Sequence, residues 1–102
     1  MAIKPTKPAR KPYIICGGAI GRAVIFCWLD AEPVSEQPIV MHDARMVLYW
    51  PAGCGGLLGL AANGPREGLR MTSSVARVTD TVRQSLAVSA EAAKAFLGWP
   101  DV

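Results

Sequence analysis

The sequence is poor in the residues that build catalytic and metal sites. It has one histidine, His42, and no Cys-x-x-Cys spacing. A metal site needs several ligands, and the nearest acid in sequence is Asp43, which would point to the other face of a strand. We therefore expect no metal or other cofactor, and we expect His42 to be solvated or hydrogen-bonded.

The cysteines also argue against an enzyme. Cys16 and Cys27 lie inside apolar runs, where thiolate formation is disfavoured, and Cys54 lies between glycines and is expected to be the most accessible. Three is an odd number, which favours free buried thiols in a reducing compartment and leaves an intermolecular disulfide as the alternative. A Cys54–His42 nucleophile pair would require the two side chains to meet in space.

Charge is scarce and long apolar runs are absent. Charged residues make up 19% of the 102 residues and hydrophobic residues 51%, which predicts that a partner covers apolar surface. No run approaches the roughly 18 apolar residues that span a membrane. The start carries charges without an apolar stretch after them, so we expect no signal peptide.

The basic charge is concentrated in residues 1–12, which we call the arm. Of eleven Lys and Arg, four lie in the arm without an acid, and seven lie in the rest against eight Asp and Glu. Three prolines predict an extended arm near polyproline II. We expect it to lie on a neighbouring subunit, with a nucleic-acid tail or an idle solvated tail as alternatives. Its cations are Lys4, Lys7, Arg10 and Lys11.

The densest signals lie in residues 41–68. An apolar run at 46–50 stops at Pro51, a glycine-rich turn spans 53–56, and a second apolar run follows at 57–62. This arrangement predicts two packed strands joined by a loop. The turn lacks the Lys-Ser/Thr of a phosphate-binding P-loop, and we expect no helix after it.

The remaining runs complete a mainly β fold. We expect strands at 13–16, 23–29, 39–41, 75–79 and 82–88, a loop at 30–38, and an exposed polar connector at 66–74. Ser89 is a good N-cap for one C-terminal helix, whose residues Ala92, Phe96 and Trp99 form a stripe that would dock on the sheet. The prediction is a small antiparallel β-barrel or sandwich of about six short strands, over residues 13–102, with a C-terminal helix and an extended arm.

One group of residues has the composition of a binding surface. Arg45, Tyr49 and Trp50 are of the types most often found as interface anchors, and they follow Asp43 closely. The alternatives are a local Asp43–Arg45 ion pair, which contributes little when exposed, and a core position for Trp50.

Four segments give a resemblance: GRAVIF at 21–26, DARMVLYW at 43–50, GLLGLAANGP at 56–65 and EAAKAF at 91–96. Over roughly residues 13–99 the chain resembles a family of short uncharacterised proteins of tailed phages and prophages. That family has no assigned catalytic residues, and the arm is an addition to its pattern. The first half also resembles, more faintly, the Sm-like small barrel, whose members form rings by pairing edge strands.

The resemblance and the composition lead to two expectations of function. The first is a non-enzymatic phage structural or assembly protein, a capsid or tail component of decoration or cement type. It would sit in the virion, associating with itself and other virion proteins through strand edges and the arm. The second is a binding module in the host cytoplasm, either an Sm-like nucleic-acid ring or an inhibitor of a host factor.

Overall fold

A computed structural model describes residues 10–18 and 21–102. Six strands and two helices follow one another along the chain. The strands are β1 (Lys11–Gly17), β2 (Ala23–Leu29), β3 (Pro38–Tyr49), β4 (Arg70–Met71), β5 (Val75–Thr81) and β6 (Gln84–Ala87), and the helices are α1 (Gly56–Asn63) and α2 (Ala90–Leu97). A short 3₁₀ turn, Ala52–Cys54, precedes α1. The mainly β class predicted from the sequence is confirmed.

All six strands belong to one antiparallel sheet. β1, β2 and β3 form a meander, β6 pairs with the other side of β1, and β4 and β5 pair with the two halves of β3. The sheet is not closed into a barrel. β5 and β6 are nevertheless almost one strand, because only residues 82 and 83 separate them. The chain therefore crosses from the β3 side of the sheet to the β1 side within two residues.

A bulge lies in β3, which joins the separate strands predicted at 39–41 and 46–50 into one. Phe26 pairs with Arg45 and Trp28 pairs with His42, so three steps along β3 match two along β2. Asp43 is the extra residue, and its φ of 49° lies in the left-handed region that aspartate tolerates better than most residues. The bulge shifts the alternation of side chains, so that Arg45 and Val47 face the helices.

The two faces of the sheet carry separate cores. The helix-side core lies between the sheet and the helices and includes Phe26, Leu60 and Phe96. The strand-side core lies on the opposite face and includes Ile25, Met41 and Val82. Both faces of β2 are thus covered, which explains why its sequence is continuously apolar, as predicted.

The second apolar run, residues 57–62, is a helix and the predicted strand is wrong. The segment GLLGLAAN of α1 contains no β-branched or aromatic residue, whereas leucine and alanine are strong helix formers. Composition therefore favours a helix, whereas the length of the run alone does not distinguish a helix from a strand. The polar connector at 66–74 also differs from the expectation, since Leu69 and Met71 are buried and β4 pairs with β3.

The C-terminal helix begins and packs as predicted. Ser89 Oγ accepts a hydrogen bond from Ala92 N at 3.1 Å and donates one to Ala62 O at 2.9 Å, so the cap of α2 also joins it to α1. Ala92 and Phe96 are fully buried. The Phe96 ring stacks on Phe26 of β2, with centroids 4.6 Å apart. Within residues 10–18 and 21–102, no helix is long and apolar enough to cross a membrane.

Candidate functional site

The crossing segment, Val75 to Ala87, leaves two edges of the sheet free among the described residues. Val82 N donates to Gln37 O at 2.9 Å, and Val88 N donates to Pro12 O at 3.1 Å. Both donors are even-numbered residues. Hydrogen-bonded and non-hydrogen-bonded residues alternate along an antiparallel strand, so the odd-numbered residues of β5 and β6 point their backbone N–H and C=O groups away from the paired strand. They include Arg77 and Thr79 on β5 and Ser85 and Ala87 on β6. All four are exposed.

The crossing between the two edges is held by polar contacts. Asp80 Oδ2 accepts from Gly18 N at 3.0 Å, and Asp80 Oδ1 accepts from Thr81 N at 2.7 Å. Arg83 N donates to Cys16 O at 2.9 Å, and the Arg83 side chain pairs with Glu36. The bend is therefore attached to the β1–β2 hairpin, which fixes the relative positions of the two edges.

An open groove accompanies the β6 edge. It lies between α1 and β6, and Leu58 of α1 is 74% exposed beside it. The floor is formed by Ala61, Leu86 and Val88. A chain that paired with β6 would cover this apolar surface, which adds burial to the backbone hydrogen bonds.

A second exposed apolar surface lies on β3 and β5. Met46 is 40% exposed, Leu48 51% and Val75 53%. Met46 and Val75 border a groove of about 290 Å³ that reaches down to Ile25 and Val78. The sequence suggested an uncovered apolar surface from composition alone, but it did not locate it here.

Arg45 was predicted as an interface anchor, and the structure buries it. The residue is 6% exposed; its Nε donates to Thr72 O at 2.8 Å and its guanidinium Nη1 donates to Phe96 O at 2.6 Å. It makes no ion pair with Asp43, so that alternative is wrong. Arg45 joins β3 to the end of β4 and to the last turn of α2, which is a positioning role within the fold.

The other two predicted anchors separate from each other. Tyr49 is 55% exposed at the end of β3, where its ring is free to meet a partner. Trp50 is half-buried and packs against the helix-side core. The structure therefore does not bring Arg45, Tyr49 and Trp50 together as one surface patch.

Two of the four arm cations, Lys4 and Lys7, lie outside the described residues. Lys11 is exposed and already belongs to β1, which begins two residues before the expected strand. Arg10 Nε donates to Asp30 Oδ1 at 3.0 Å, and His42 Nε2 is 3.0 Å from Asp30 Oδ2. Asp30 thus ties the base of the arm to β3 and provides the hydrogen bond expected for His42.

The hydrogen bond from Arg10 holds the pKa of the Asp30 carboxyl below its usual range. A lowered pKa stabilises the folded state above the unfolded pKa, and this contribution is lost as pH falls through the folded value. We expect Asp30→Asn to lack that part of the acid dependence. Urea midpoints from neutral pH through the aspartate range would measure it, with Glu32→Gln as the exposed control. Curves for wild type and Asp30→Asn that stay parallel would contradict it.

All three thiols are buried, Cys54 included, so its expected accessibility is wrong. Burial raises the pKa of the Cys27 thiol to about 12 and also raises that of Cys16. A thiol with a raised pKa supplies almost no thiolate at neutral pH. This chemistry is unsuited to nucleophilic catalysis at these positions.

We expect the three thiols to react with a thiol reagent only as fast as the protein opens. Labelling in native buffer should therefore be slower than in denaturant by several orders of magnitude, since native domains open rarely. Mass spectrometry at successive times would count the modified cysteines. Rapid single labelling of the native protein would show that one thiol is accessible after all.

The glycine-rich turn leads directly into a helix, contrary to expectation. Gly55 has a φ of 80° and Gly56 a φ of 67°, and α1 begins at Gly56. The turn still lacks the lysine and hydroxyl residues of a P-loop. In the described part of the chain, no group of three or more His, Cys, Asp and Glu side chains is placed to hold a metal ion.

Comparison with known proteins gives no relative. No family model, no curated protein and no solved structure matches the chain.

Proposed function

We propose that this protein is a non-enzymatic assembly protein that associates with further copies of itself through the free edges of its sheet. The observation that supports this most directly is the crossing segment, Val75 to Ala87. It presents one outward edge on β5 and a second on β6, and polar contacts to the β1–β2 hairpin hold them in place.

Unpaired edges attract other strands, and proteins usually protect them with lysine, proline or bulges. The β6 edge, QSLA, has none of these. Pairing the β5 edge of one copy with the β6 edge of another would satisfy the free backbone groups. Because the two surfaces differ, such a contact repeats from copy to copy and yields a ring or a filament.

The setting of the assembly follows from the family resemblance. We propose a capsid or tail component in the virion, of decoration or cement type, with Tyr49 and the arm cations Lys4, Lys7, Arg10 and Lys11 as further contacts to virion proteins. The buried thiols and the hydrogen-bonded His42 fit a protein that does no chemistry.

The edge hypothesis is tested by placing proline where a backbone N–H points outward. Thr79→Pro and Ser85→Pro leave the internal ladder intact because those N–H groups do not serve it. We expect both to lower the average mass in sedimentation velocity to that of one chain. Purified particles examined by mass spectrometry would separately test the virion setting.

The matched control is Ser35→Pro. Gln37 N donates to Val34 O and Glu36 has a φ of 65°, so Ser35 occupies the turn position that proline favours. This variant should associate as the wild type does. A wild-type protein that stays a single chain at every concentration would refute the proposal.

A second candidate is the Sm-like nucleic-acid ring in the host cytoplasm. The observation that favours it is the short connection between β5, which pairs with β3, and β6, which pairs with β1. Because only residues 82 and 83 separate β5 from β6, the β1–β2–β3 meander is close to closing into a barrel. Salt-dependent binding of single-stranded RNA or DNA that weakens on Lys4→Gln and Lys7→Gln would support this candidate. Association without such binding would favour the structural protein.

A further inference from the structure

An apolar groove lies beside each free edge of the sheet. The groove at β5 is lined by Val75 and Val78 and reaches down to Ile25 of the strand-side core. The groove at β6 lies beside Leu58 of α1 and includes Leu86 of the helix-side core. In a single chain the two grooves therefore open on opposite faces of the sheet.

The residues whose backbone groups point away from the paired strand alternate with these apolar side chains. We call them the outward residues: Arg77 and Thr79 on β5, and Ser85 and Ala87 on β6. On β5, Val78 packs against the strand-side core, so the side chains on either side of it turn to the helix side. On β6, Leu86 belongs to the helix-side core, so its two neighbours turn to the strand side. The outward residues of the two edges thus carry their side chains on opposite faces.

An antiparallel contact between the edges of two copies brings those side chains to one face. Residues that exchange both backbone hydrogen bonds across an antiparallel pair have their side chains on the same side of the sheet. The helix side of one copy then continues as the strand side of the next. The outward residues, which are small or polar, share one face, and the two apolar grooves share the other. A parallel contact would leave the grooves on opposite faces and put Arg77 on the same face as Leu86.

The outward residues also set the register of such a contact. One antiparallel register pairs all four of them with one another, Arg77 with Ala87 and Thr79 with Ser85. In this register residues 75–78 of one copy lie level with residues 86–89 of the next. The first range contains the β5 residues that line one groove, and the second range lines the other groove together with Leu58. The two grooves are therefore side by side across the contact.

We infer that copies of this chain join antiparallel in this register, and that α1 of one copy lays Leu58 on the apolar groove of the next. Leu58 is 74% exposed in a single chain, and the groove has a volume of about 290 Å³. Covering both removes apolar surface from water. This inference rests on the proposed function, because it requires that the edges pair. It adds a direction, a register and a helix contact, which the free edges alone do not specify.

Single-cysteine variants mixed in pairs test the direction and the register. Thr79→Cys and Ser85→Cys replace exposed residues whose Cα atoms this register places about 5.5 Å apart, within the range of a disulfide. After oxidation in air we expect a mixed-disulfide dimer, identified by mass spectrometry of the non-reduced digest. The native thiols are buried and do not compete.

Ala87→Cys in place of Ser85→Cys is the matched control. It lies two residues away from the position opposite Thr79, which is too far for a disulfide without backbone movement. The yield of its link to Thr79→Cys should be lower by about tenfold or more, since only rare displaced arrangements bring the two sulfurs together. The opposite preference would show another direction or register and would overturn the inference.

Leu58→Ser tests the helix contact without touching the edge backbone. We expect it to weaken association about tenfold in sedimentation velocity over a range of concentrations, because the side chain loses its burial against the next copy. Leu97→Ser, on α2 and 55% exposed, is the matched control and should associate as the wild type does. Circular dichroism establishes that both variants are folded. An equal effect of the two substitutions would refute the Leu58 contact.

The wild-type protein separates this inference from the proposed function. If it sediments as a single chain at every concentration, both are refuted. If it associates and is dispersed by Thr79→Pro and Ser85→Pro, but the cysteine at position 79 links to position 87 rather than 85, the edges pair and only the inferred arrangement is wrong.

Discussion

Arg45→Leu should lower the free energy of unfolding far more than the substitution of any exposed arginine. The change removes the Arg45 donors from Thr72 O and Phe96 O, and Phe96 O then keeps only the longer contacts at the end of α2, such as Trp99 N at 3.3 Å. An unsatisfied buried polar group costs about 1–3 kcal/mol, so we expect a loss of about 2–3 kcal/mol in the free energy of unfolding. Urea unfolding followed by tryptophan fluorescence measures it.

Two further variants identify the cause. Arg66→Leu, in an exposed turn, should change stability by no more than about 0.5 kcal/mol. Arg45→Lys keeps a charge but lacks the planar fork that reaches two carbonyls, so it should fall between the wild type and Arg45→Leu. If Arg45→Leu retained wild-type stability and lost only association, Arg45 would be the interface anchor that its residue type suggested.

Gly59→Ala should be the most damaging single-methyl change in the chain. A Cβ at this position would lie 1.9 Å from Cys54 O, because the 3₁₀ turn folds back over the start of α1. Alanine is favoured over glycine in a helix by about 1 kcal/mol, but the backbone collision opposes that gain. Overpacking costs about 1–3 kcal/mol and more when backbone must move, so we expect a net loss of at least about 2 kcal/mol.

A glycine in the adjoining 3₁₀ turn supplies the control. A methyl group added at Gly53 would have no atom within 4 Å, and Gly53 does not need a positive φ. Gly53→Ala should therefore be neutral or slightly stabilising, since it restricts the unfolded chain. Thermal unfolding of the two variants side by side tests the difference, and equal melting temperatures would show that the turn relaxes without cost.

Local sequence signals identified most strands and the second helix because each depends on neighbours in the chain. The run at residues 23–29 is β-branched and aromatic, and β2 occupies those residues. Ser89 begins α2 because its hydroxyl lies three residues before an N–H that the helix leaves free. The run at 57–62 forms a helix where a strand was predicted, because its apolar length is compatible with both and its leucines and alanines favour the helix.

The candidate surfaces were harder to foresee because they join distant residues. Arginine, tyrosine and tryptophan close together in the chain suggested one patch, but a single extra residue at Asp43 turned Arg45 inward. The free edges on β5 and β6 depend on which strands pair across the sheet. A cleft beside the bulge of β3 brings Asp43 together with Asp101, from the far end of the chain, through the position of α2.

The amino-acid sequence by itself determined the class of fold, the covered faces of β2, the cap of α2 and the separation of basic charge into the arm. These properties follow from composition and from spacing over a few residues, which act before the chain is compact. The tertiary structure alone decided that Arg45 is buried, that Cys54 is shielded, and that, among the described residues, the outward edges of β5 and β6 remain free. Those outcomes depend on long-range pairing, in which one bulge or one packed helix changes what every neighbouring side chain meets.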